Sequence, residues 1–297
     1  MELHHLRYFV AVARLGSFTR AAEECRVAQP SLSQQIRRLE QLVGAPLFDR
    51  TGREVRLTDV GRVLLPRAEA ILRAVEHAEA AVQESLGGRG GQLVVGTLPM
   101  TGSRVLPPLV AAFRERHPGV QVRLREESTA ALVDLAMRGE TDITLTTLPV
   151  PHPELAAQEL LTEDILLAVP PDHPLAGQGA VPLAAVAGEP FLLMKEGYGF
   201  RDLALHACRR AGFEPQVGYE SAHIDTIQAF VAVGFGVALV PRMAADRDRT
   251  PAPAFLSVSD PPLTRTLALV WHADRYLSAA ARAFLEIAAT LWRPRGA

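Results

Sequence analysis

Residues 6–65 read LRYFVAVARLGSFTRAAEECRVAQPSLSQQIRRLEQLVGAPLFDRTGREVRLTDVGRVLL. Leu3, Leu6, Phe9, Val10 and Ala13 fall at three- and four-residue spacing, the apolar stripe of a first helix that Gly16 stops. Ser17-Phe18-Thr19 offers hydroxyl caps to a second short helix, Arg20 to Cys25, where Ala21 and Ala22 permit close packing. After the turn Val27-Ala28-Gln29, Pro30 suits the first turn of a third helix, Ser31 to Val43. This helix is expected to bury Leu32, Ile36, Leu39 and Leu42 and to turn Gln34, Gln35, Arg37 and Arg38 outward, with Gly44 ending it. Leu47 to Leu57 reads as two short strands around a Thr51-Gly52 turn, a small hairpin.

Helix, turn, helix and hairpin in this order suit a DNA reader. A helix of ~10–13 residues fits the major groove, with the residues near its N-terminus at the base edges. Gln29, Pro30, Ser31, Ser33, Gln34 and Arg37 occupy that end and its outer face. Gln pairs bidentately with adenine, Ser reaches phosphates and Pro touches a thymine methyl. Arg50, Arg53 and Arg56 on the hairpin would reach phosphate or an adjacent minor groove. The bland alternative is a three-helix bundle with a solvated polar face.

Charge favours neither reading outright. Of the 297 residues, 31 are basic and 33 acidic, a net charge of −2. Residues 1–60 hold nine Arg against seven acids, and Arg26 to Arg56 six against three, a modest local excess of positive charge. Hydrophobic residues make 48% and charged residues 22% of the chain, the composition of an ordinary folded protein rather than a disordered one. The longest uncharged apolar run, Ala229 to Val240, is twelve residues, short of the roughly 18 that span a bilayer. No secretion signal is legible in MELHHLRYFVAVARLG, and two cysteines make no disulfide framework, so a cytoplasmic location is expected.

Further along, Thr58 caps a long helix to about Ser85. Leu64, Ala68, Ile71, Val75, Ala78 and Val82 repeat there at 4-3-4-3-4, a coiled-coil seam about three heptads long that suits a dimer contact. Gly87-Gly88-Arg89-Gly90-Gly91 reads as a hinge. From Gln92 short apolar runs alternate with helical patterns. The runs are Leu93–Thr97, Val120–Arg125, Asp142–Thr147, Ile165–Val169, Phe191–Met194, Val237–Val240 and Leu267–Trp271. Leu106–His117, Thr129–Arg138, Phe200–Ala211 and Ile224–Val233 are the helical patterns between them. The alternation implies an open α/β sheet split into two lobes.

In such a fold a ligand sits outside the carboxyl ends of the strands, near helix N-termini whose free N–H groups favour anions. Pro99-Met100-Thr101-Gly102-Ser103 follows the first strand, Ser128 and Thr129 open a helix, and Thr146-Thr147 ends a third strand. Tyr198, Gly199, Phe200 and Arg201 follow the run Phe191–Met194. Hydroxyls and glycines gathered there would suit a small carboxylate, although such residues also serve as plain caps and turns. No phosphate-loop, zinc-protease, nucleophile-elbow or dinucleotide motif is present, so no enzyme, metal or cofactor is expected. His4-His5 reads as a solvated helix start.

The N-terminal stretch resembles the winged helix-turn-helix of LysR-type transcriptional regulators over its whole length. The resemblance rests on Phe9, Ser17-Phe18, Ala21-Ala22, Ala28-Gln29-Pro30-Ser31, Ser33, Ile36, Leu39-Glu40, Gly44, Leu47-Phe48, Arg50, Leu57-Thr58 and Gly61. Cys25 departs from the usual Leu. The resemblance implies an α/β protein in three parts. A winged helix-turn-helix at 1–58 is followed by a linker and dimerisation helix with its hinge at 59–89, and then by a regulatory domain at 90–297 resembling type 2 periplasmic binding proteins. Lobe one of that domain would take about 90–163 and 268–297, and lobe two about 164–267. Implied partners are a double-stranded DNA operator, a small-molecule effector and the chain itself, as a dimer of dimers through Leu64, Ile71, Val75 and Val82. A solute-binding α/β protein with an incidental helical N-terminus is the rival reading.

Leu192 to Cys208 is similar to the redox loop of OxyR-type peroxide sensors, a subgroup of that family. Those sensors carry a reactive cysteine, preceded by His, where this chain has Gly199 after Tyr198; their partner cysteine matches Cys208. Their peroxide-binding Thr falls at Met100, while Thr129 matches. The two-cysteine mechanism therefore lacks its first thiol. A single-thiol sensor would need Cys208 exposed and activated by His206, Arg209 and Arg210; a buried, inert cysteine is the alternative.

Overall fold

A computed structural model describes residues 1–49, 55–85 and 91–292. The chain forms two compact units, Met1–Gly88 and Arg89–Ala297. In the first, α1 (Leu3–Leu15), α2 (Phe18–Glu24) and α3 (Gln29–Val43) precede β1 (Phe48–Asp49), β2 (Arg56–Leu57) and α4 (Asp59–Ser85). Gly16 and Gly44 close α1 and α3 with φ of 60° and 80°, the left-handed cap conformation that glycine adopts without a side-chain clash. Ser17 Oγ accepts from the Arg20 amide, so α2 starts two residues earlier than expected. Helix α3 also starts early, at Gln29, with Pro30 inside its first turn.

Phe9, Val12, Ala21, Leu32, Ile36, Leu39 and Leu47 form a closed core. Leu42, expected inside, is exposed, because the inner face of α3 continues from Leu39 to Val43 instead. Glu40 ties the end of α3 to the wing, its Oε1 accepting from the Leu47 amide at 2.9 Å. Thr58 caps α4 through the Gly61 amide at 3.0 Å. A Cβ on Gly61 would lie 2.3 Å from the Leu47 carbonyl oxygen, so only glycine fits there. The expected Thr51-Gly52 turn, with Arg50 and Arg53, and the hinge residues 87–90 lie outside the described residues.

The expected seam of α4 is divided between two environments. Ala68 is fully buried, and Leu64, Leu65 and Leu72 pack on the same core as α1. Leu64 is therefore spent within the chain. Val75 is half-buried, while Ile71 is 44% and Val82 57% exposed. The turns of α4 up to Leu72 pack on the winged core with one face, while Val60, Val63, Ile71 and Val82 stay exposed.

The second unit begins β3 (Gly91–Thr97), α5 (Pro99–Arg116), β4 (Val120–Glu126), α6 (Thr129–Arg138), β5 (Ile143–Thr147) and β6 (Leu155–Val169). It continues β7 (Ala180–Val181), β8 (Pro190–Met194), α7 (Gly199–Arg210), β9 (Gln216–Ser221), α8 (Ile224–Ala232) and β10 (Ala238–Pro241). It closes with β11 (Ala254–Val258), β12 (Thr264–His272) and α9 (Ala279–Leu291). The main sheet runs β4-β3-β5-β12-β6-β11-β7, with β10 also beside β6, while β8 and β9 pair separately. β3 is parallel to β4 and β5, and β12 is antiparallel to β5 and β6.

Three cores lie in this unit, the smallest around Leu192, Ile224, Ile227, Val231 and Val240. Leu93, Leu109, Phe113, Leu145, Leu269 and Phe284 belong to the first, where Phe113 meets Phe284 edge-on at 5.4 Å. Ile165, Leu167, Phe191, Ala204, Cys208 and Leu239 belong to the second. β6 joins the lobes: Leu155 to Asp164 pairs with β12, and Ile165 to Val169 with β10 and β11. Only its second half is a continuous apolar run, so the spacing revealed five of its fifteen residues. Helix α5 starts seven residues before the expected Leu106 and runs through Pro107-Pro108, giving up backbone donors there. β9, β11 and the Ser278-capped α9 were not anticipated, although α9 buries Ala281, Phe284, Leu285 and Ala288 at helical spacing.

The two faces of α4 generate a contrast between variants. Leu64→Ala should cost about 2 kcal/mol of unfolding free energy. Ile71→Asp should leave the thermal midpoint nearly unchanged and lower the sedimenting mass at micromolar protein. An unchanged mass for Ile71→Asp would remove self-association from this helix.

Candidate functional site

On α3, Gln29, Pro30, Ser31, Gln34 and Arg37 are exposed and Ser33 is half-buried. The Gln29 amide nitrogen donates to Ser33 Oγ at 3.0 Å, which holds the Gln29 side chain along the helix. Ala28 supplies no side-chain cap, so the first amides of α3 are open to an anion. Pro30, Ser33, Gln34 and Arg37 share one face by their spacing. Arg56 on β2 is also exposed.

The inner side of α3 holds a residue whose sequence reading was wrong. His5 is not solvated but 2% exposed. Its Nδ1 accepts from the Glu2 amide at 3.1 Å, so its Nε2 carries the proton and donates to Gln35 Oε1 at 3.0 Å. Gln35 thus turns inward, and the imidazole links the start of α1 to the middle of α3. Two adjacent histidines near a chain start give no local sign of this, because the partner is 30 residues away.

In the second unit a cavity of about 220 Å³ opens between the lobes. Of the expected residues, Met100, Thr101, Ser103, Thr129, Tyr198 and Phe200 line it. Thr146 does not: successive strand residues face opposite ways, so Thr147 takes the cavity position. Ser128 caps α6 by accepting from the Ala131 amide. Arg201 turns to the Met194 carbonyl at 2.8 Å and to the Glu220 carboxylate. Gly199 approaches protein rather than an open site. Its amide donates to Thr129 Oγ1 at 2.9 Å, and a Cβ would lie 3.3 Å from Thr129 Cγ2. With the Ala130 amide on the Gly197 carbonyl at 3.1 Å, this contact latches lobe two to lobe one.

Sequence reasoning missed Leu98, Met194 and Pro241 of the lining, and with them Ala222, His223, Ile224, Asp225 and Arg265. Leu98, Tyr198 and His223 are the N-cap residues of α5, α7 and α8, and none of the three makes a side-chain cap hydrogen bond. Three helices therefore turn weakly capped positive ends toward one cavity. Thr101 Oγ1 is buried there without a hydrogen-bond partner. Arg265 is buried beside it, stacked 5.6 Å over the Phe200 ring and paired with Glu163. Burial draws the Arg265 pKa down, while Glu163 pulls it back up.

Cys208 lies fully buried in the lobe-two core. Burial first, and then Glu214, push its thiol up to about 11. The activation that a single-thiol sensor would need has no support here, because His206, Arg209 and Arg210 are exposed and Arg209 is bonded to Glu214 at 2.8 Å. Cys25 is half-buried, and burial raises its pKa too. Among the described residues no group of three or more His, Cys, Asp or Glu side chains is placed to hold a metal ion. Nor is any described helix long and apolar enough to cross a membrane.

Residues 3–62 match the family of bacterial regulatory helix-turn-helix proteins, lysR family, and residues 86–293 match the LysR substrate binding domain. The chain is 38% identical to the uncharacterized HTH-type transcriptional regulator YcgK of Bacillus subtilis, over 97% of this chain and 94% of that protein. It is 32% identical to the DNA-binding transcriptional dual regulator OxyR of Escherichia coli, over 92% and 90% of the two chains. A full-length OxyR variant from Pseudomonas aeruginosa superposes with a TM-score of 0.76 at 30% identity, covering 99% of this chain and 95% of that one. Matches to both parts of the chain overturn the reading of the helical N-terminus as incidental to a solute-binding protein. An exposed reading helix on a wing, joined to a two-lobed domain with a cavity between its lobes, is the arrangement of a DNA-binding transcriptional regulator with an effector-binding domain, and the chain belongs to the LysR family.

Proposed function

We propose that this regulator senses a small anion, most simply a carboxylate, in the cavity between its lobes, and transmits its presence to an operator in the cytoplasm. Three parts share the work: a winged helix-turn-helix at residues 1–58, a linker helix and hinge at 59–89, and an effector domain at 90–297. Self-association through Ile71, Val75 and Val82 into a dimer of dimers would set two or more winged domains on one operator. Linking modules in this way raises avidity without any new base contact.

The observation that carries the effector reading is the convergence of the α5, α7 and α8 N-termini, none closed by its own N-cap side chain, on a cavity that also holds an unpartnered buried hydroxyl and an arginine. Each helix N-terminus presents roughly half a positive charge and several free amides, so an anion gains there what a neutral solute does not. At ~30 Å³ per water, the cavity volume corresponds to about seven waters, which suits a ligand of a few carbons. On the DNA side, Gln29, Pro30, Ser33 and Gln34 would meet base edges. Arg37, the wing residues Arg50 and Arg53, and the open start of α3 at Ser31 would meet phosphates.

Replacement of a single hydroxyl tests the cavity. Thr101→Val keeps the side-chain shape and deletes a buried group that has no partner, so ligand-free stability should hold or rise slightly. The rise in thermal midpoint produced by small carboxylates should shrink by at least half. An undiminished rise would place the ligand elsewhere.

Base readout is tested by Gln29→Ala. The variant should cost about 1–3 kcal/mol at the operator and leave random-sequence binding nearly unchanged. Equal weakening on both DNAs would assign Gln29 to the backbone instead.

A redox reading through Cys208 requires a reactive thiolate. Native protein at neutral pH should give only slow labelling by a thiol reagent, at the half-buried Cys25, with Cys208 reacting after unfolding. Rapid native labelling of Cys208 would revive single-thiol sensing.

A further inference from the structure

Arg265 and Glu163 stand opposite each other on β12 and β6, the strands shared by the two lobes. The Arg265 side chain is 2% exposed, yet it lines the cavity. Its Nε donates to Glu163 Oε1 at 2.8 Å, and Nη2 lies 2.6 Å from the same oxygen. Nη2 has no acceptor in line with its hydrogens. A guanidinium and a carboxylate normally meet as two parallel bonds to two oxygens. Here both nitrogens approach the one oxygen Oε1, while Glu163 Oε2 accepts from the Met243 amide at 2.7 Å. The arginine fork is therefore half filled, and it is half filled beside a cavity.

Met243 lies in the 3-10 turn Arg242–Ala244 that follows β10. One residue along β6, Asp164 holds the Arg242 guanidinium at 2.8 and 3.1 Å. The carboxylate that faces the cavity's arginine thus also fixes a turn of lobe two. Asp225 places an acidic group in the lining itself.

We propose that Arg265 recognises the anionic head of the effector, whose oxygen completes the fork that Glu163 leaves half filled. The ligand class is a small monoanion. This deepens the effector reading above and rests on it. Glu163 already opposes Arg265 and Asp225 also lines the cavity, so a second negative charge on the ligand would meet repulsion rather than a further cation. Any pull on Arg265 is shared with Glu163 and through it with Met243, so a bound anion bears on the turn that follows β10. A ligand moves such a network only as far as its affinity differs between the two lobe arrangements.

The test uses full-length protein and a panel of carboxylic acids of about two to six carbons, a size set by the cavity, each beside its primary amide. Thermal unfolding and titration calorimetry at neutral pH read the binding. At least one acid should raise the midpoint while its amide, equal in shape, does not. Glu163→Gln releases the guanidinium and should tighten the acid about tenfold. Arg265→Gln alone would strand a buried carboxylate, so the informative variant is the double Arg265→Gln, Glu163→Gln, neutral on both strands. It should unfold cooperatively and no longer prefer acid over amide. Arg265→Lys keeps the charge without the fork and should weaken the acid about tenfold, which gives a second reading should the double variant not fold. Acid preference retained in the double variant, or unweakened binding in Arg265→Lys, would overturn the role of Arg265 and leave the cavity reading standing. Equal binding of acid and amide by the unaltered protein would overturn the monoanion class. If no acid in the panel shifts the midpoint, this proposal and the effector reading fall together.

Discussion

The second unit depends on two strands, β6 and β12, and on what they hold between them. They are antiparallel partners from Leu155 to Asp164 on one side and Thr264 to His272 on the other. Each lobe buries its own apolar core, but the shared strands set how the lobes meet. A charged pair, Arg265 with Glu163, sits between these strands with almost no exposure. Removing two charges from water costs several kcal/mol per ion, and their attraction offsets it only with good geometry and added hydrogen bonds. The pair here has one well-formed bond and one side-on approach, so its persistence at that place is better explained by a task than by stability.

The surroundings of the pair share this character. Helix N-termini in proteins are usually closed by Ser, Thr, Asp or Asn. The chain follows that habit at Ser17, Ser128 and Ser278, and abandons it at Leu98, Tyr198 and His223, the cap residues that border the cavity. Amides left open in one place, with an unpaired threonine hydroxyl beside them, are local sacrifices of stability. They are concentrated where a ligand would repay them.

The winged unit has the opposite character, since its parts are fixed mainly by neighbours in sequence. Glycine caps end α1 and α3, Ser17 starts α2, and Glu40 and Thr58 hold the wing to the helices on either side. A rigid frame of this kind can present an outer face of Gln, Ser and Arg without that face stabilising anything. The long-range exception is the bond from His5 to Gln35, which sets α3 against the start of α1.

The sequence by itself determined the helices of the winged domain, the outward face of α3, the alternation of strands and helices beyond Gln92 and the resemblance to LysR regulators. Caps, turns and apolar periodicity act over a few residues, so a linear reading captures them. It placed Met100, Thr101, Ser103, Thr129, Tyr198 and Phe200 near a ligand because strand ends and helix starts are local features. Tertiary structure alone decided that Arg265 joins them, more than 160 residues from Thr101 in the chain. The same holds for the divided seam of α4, the buried His5 and the buried Cys208. In each case the outcome depends on which surface arrives from elsewhere in the chain to exclude water, and no spacing along the sequence encodes that surface.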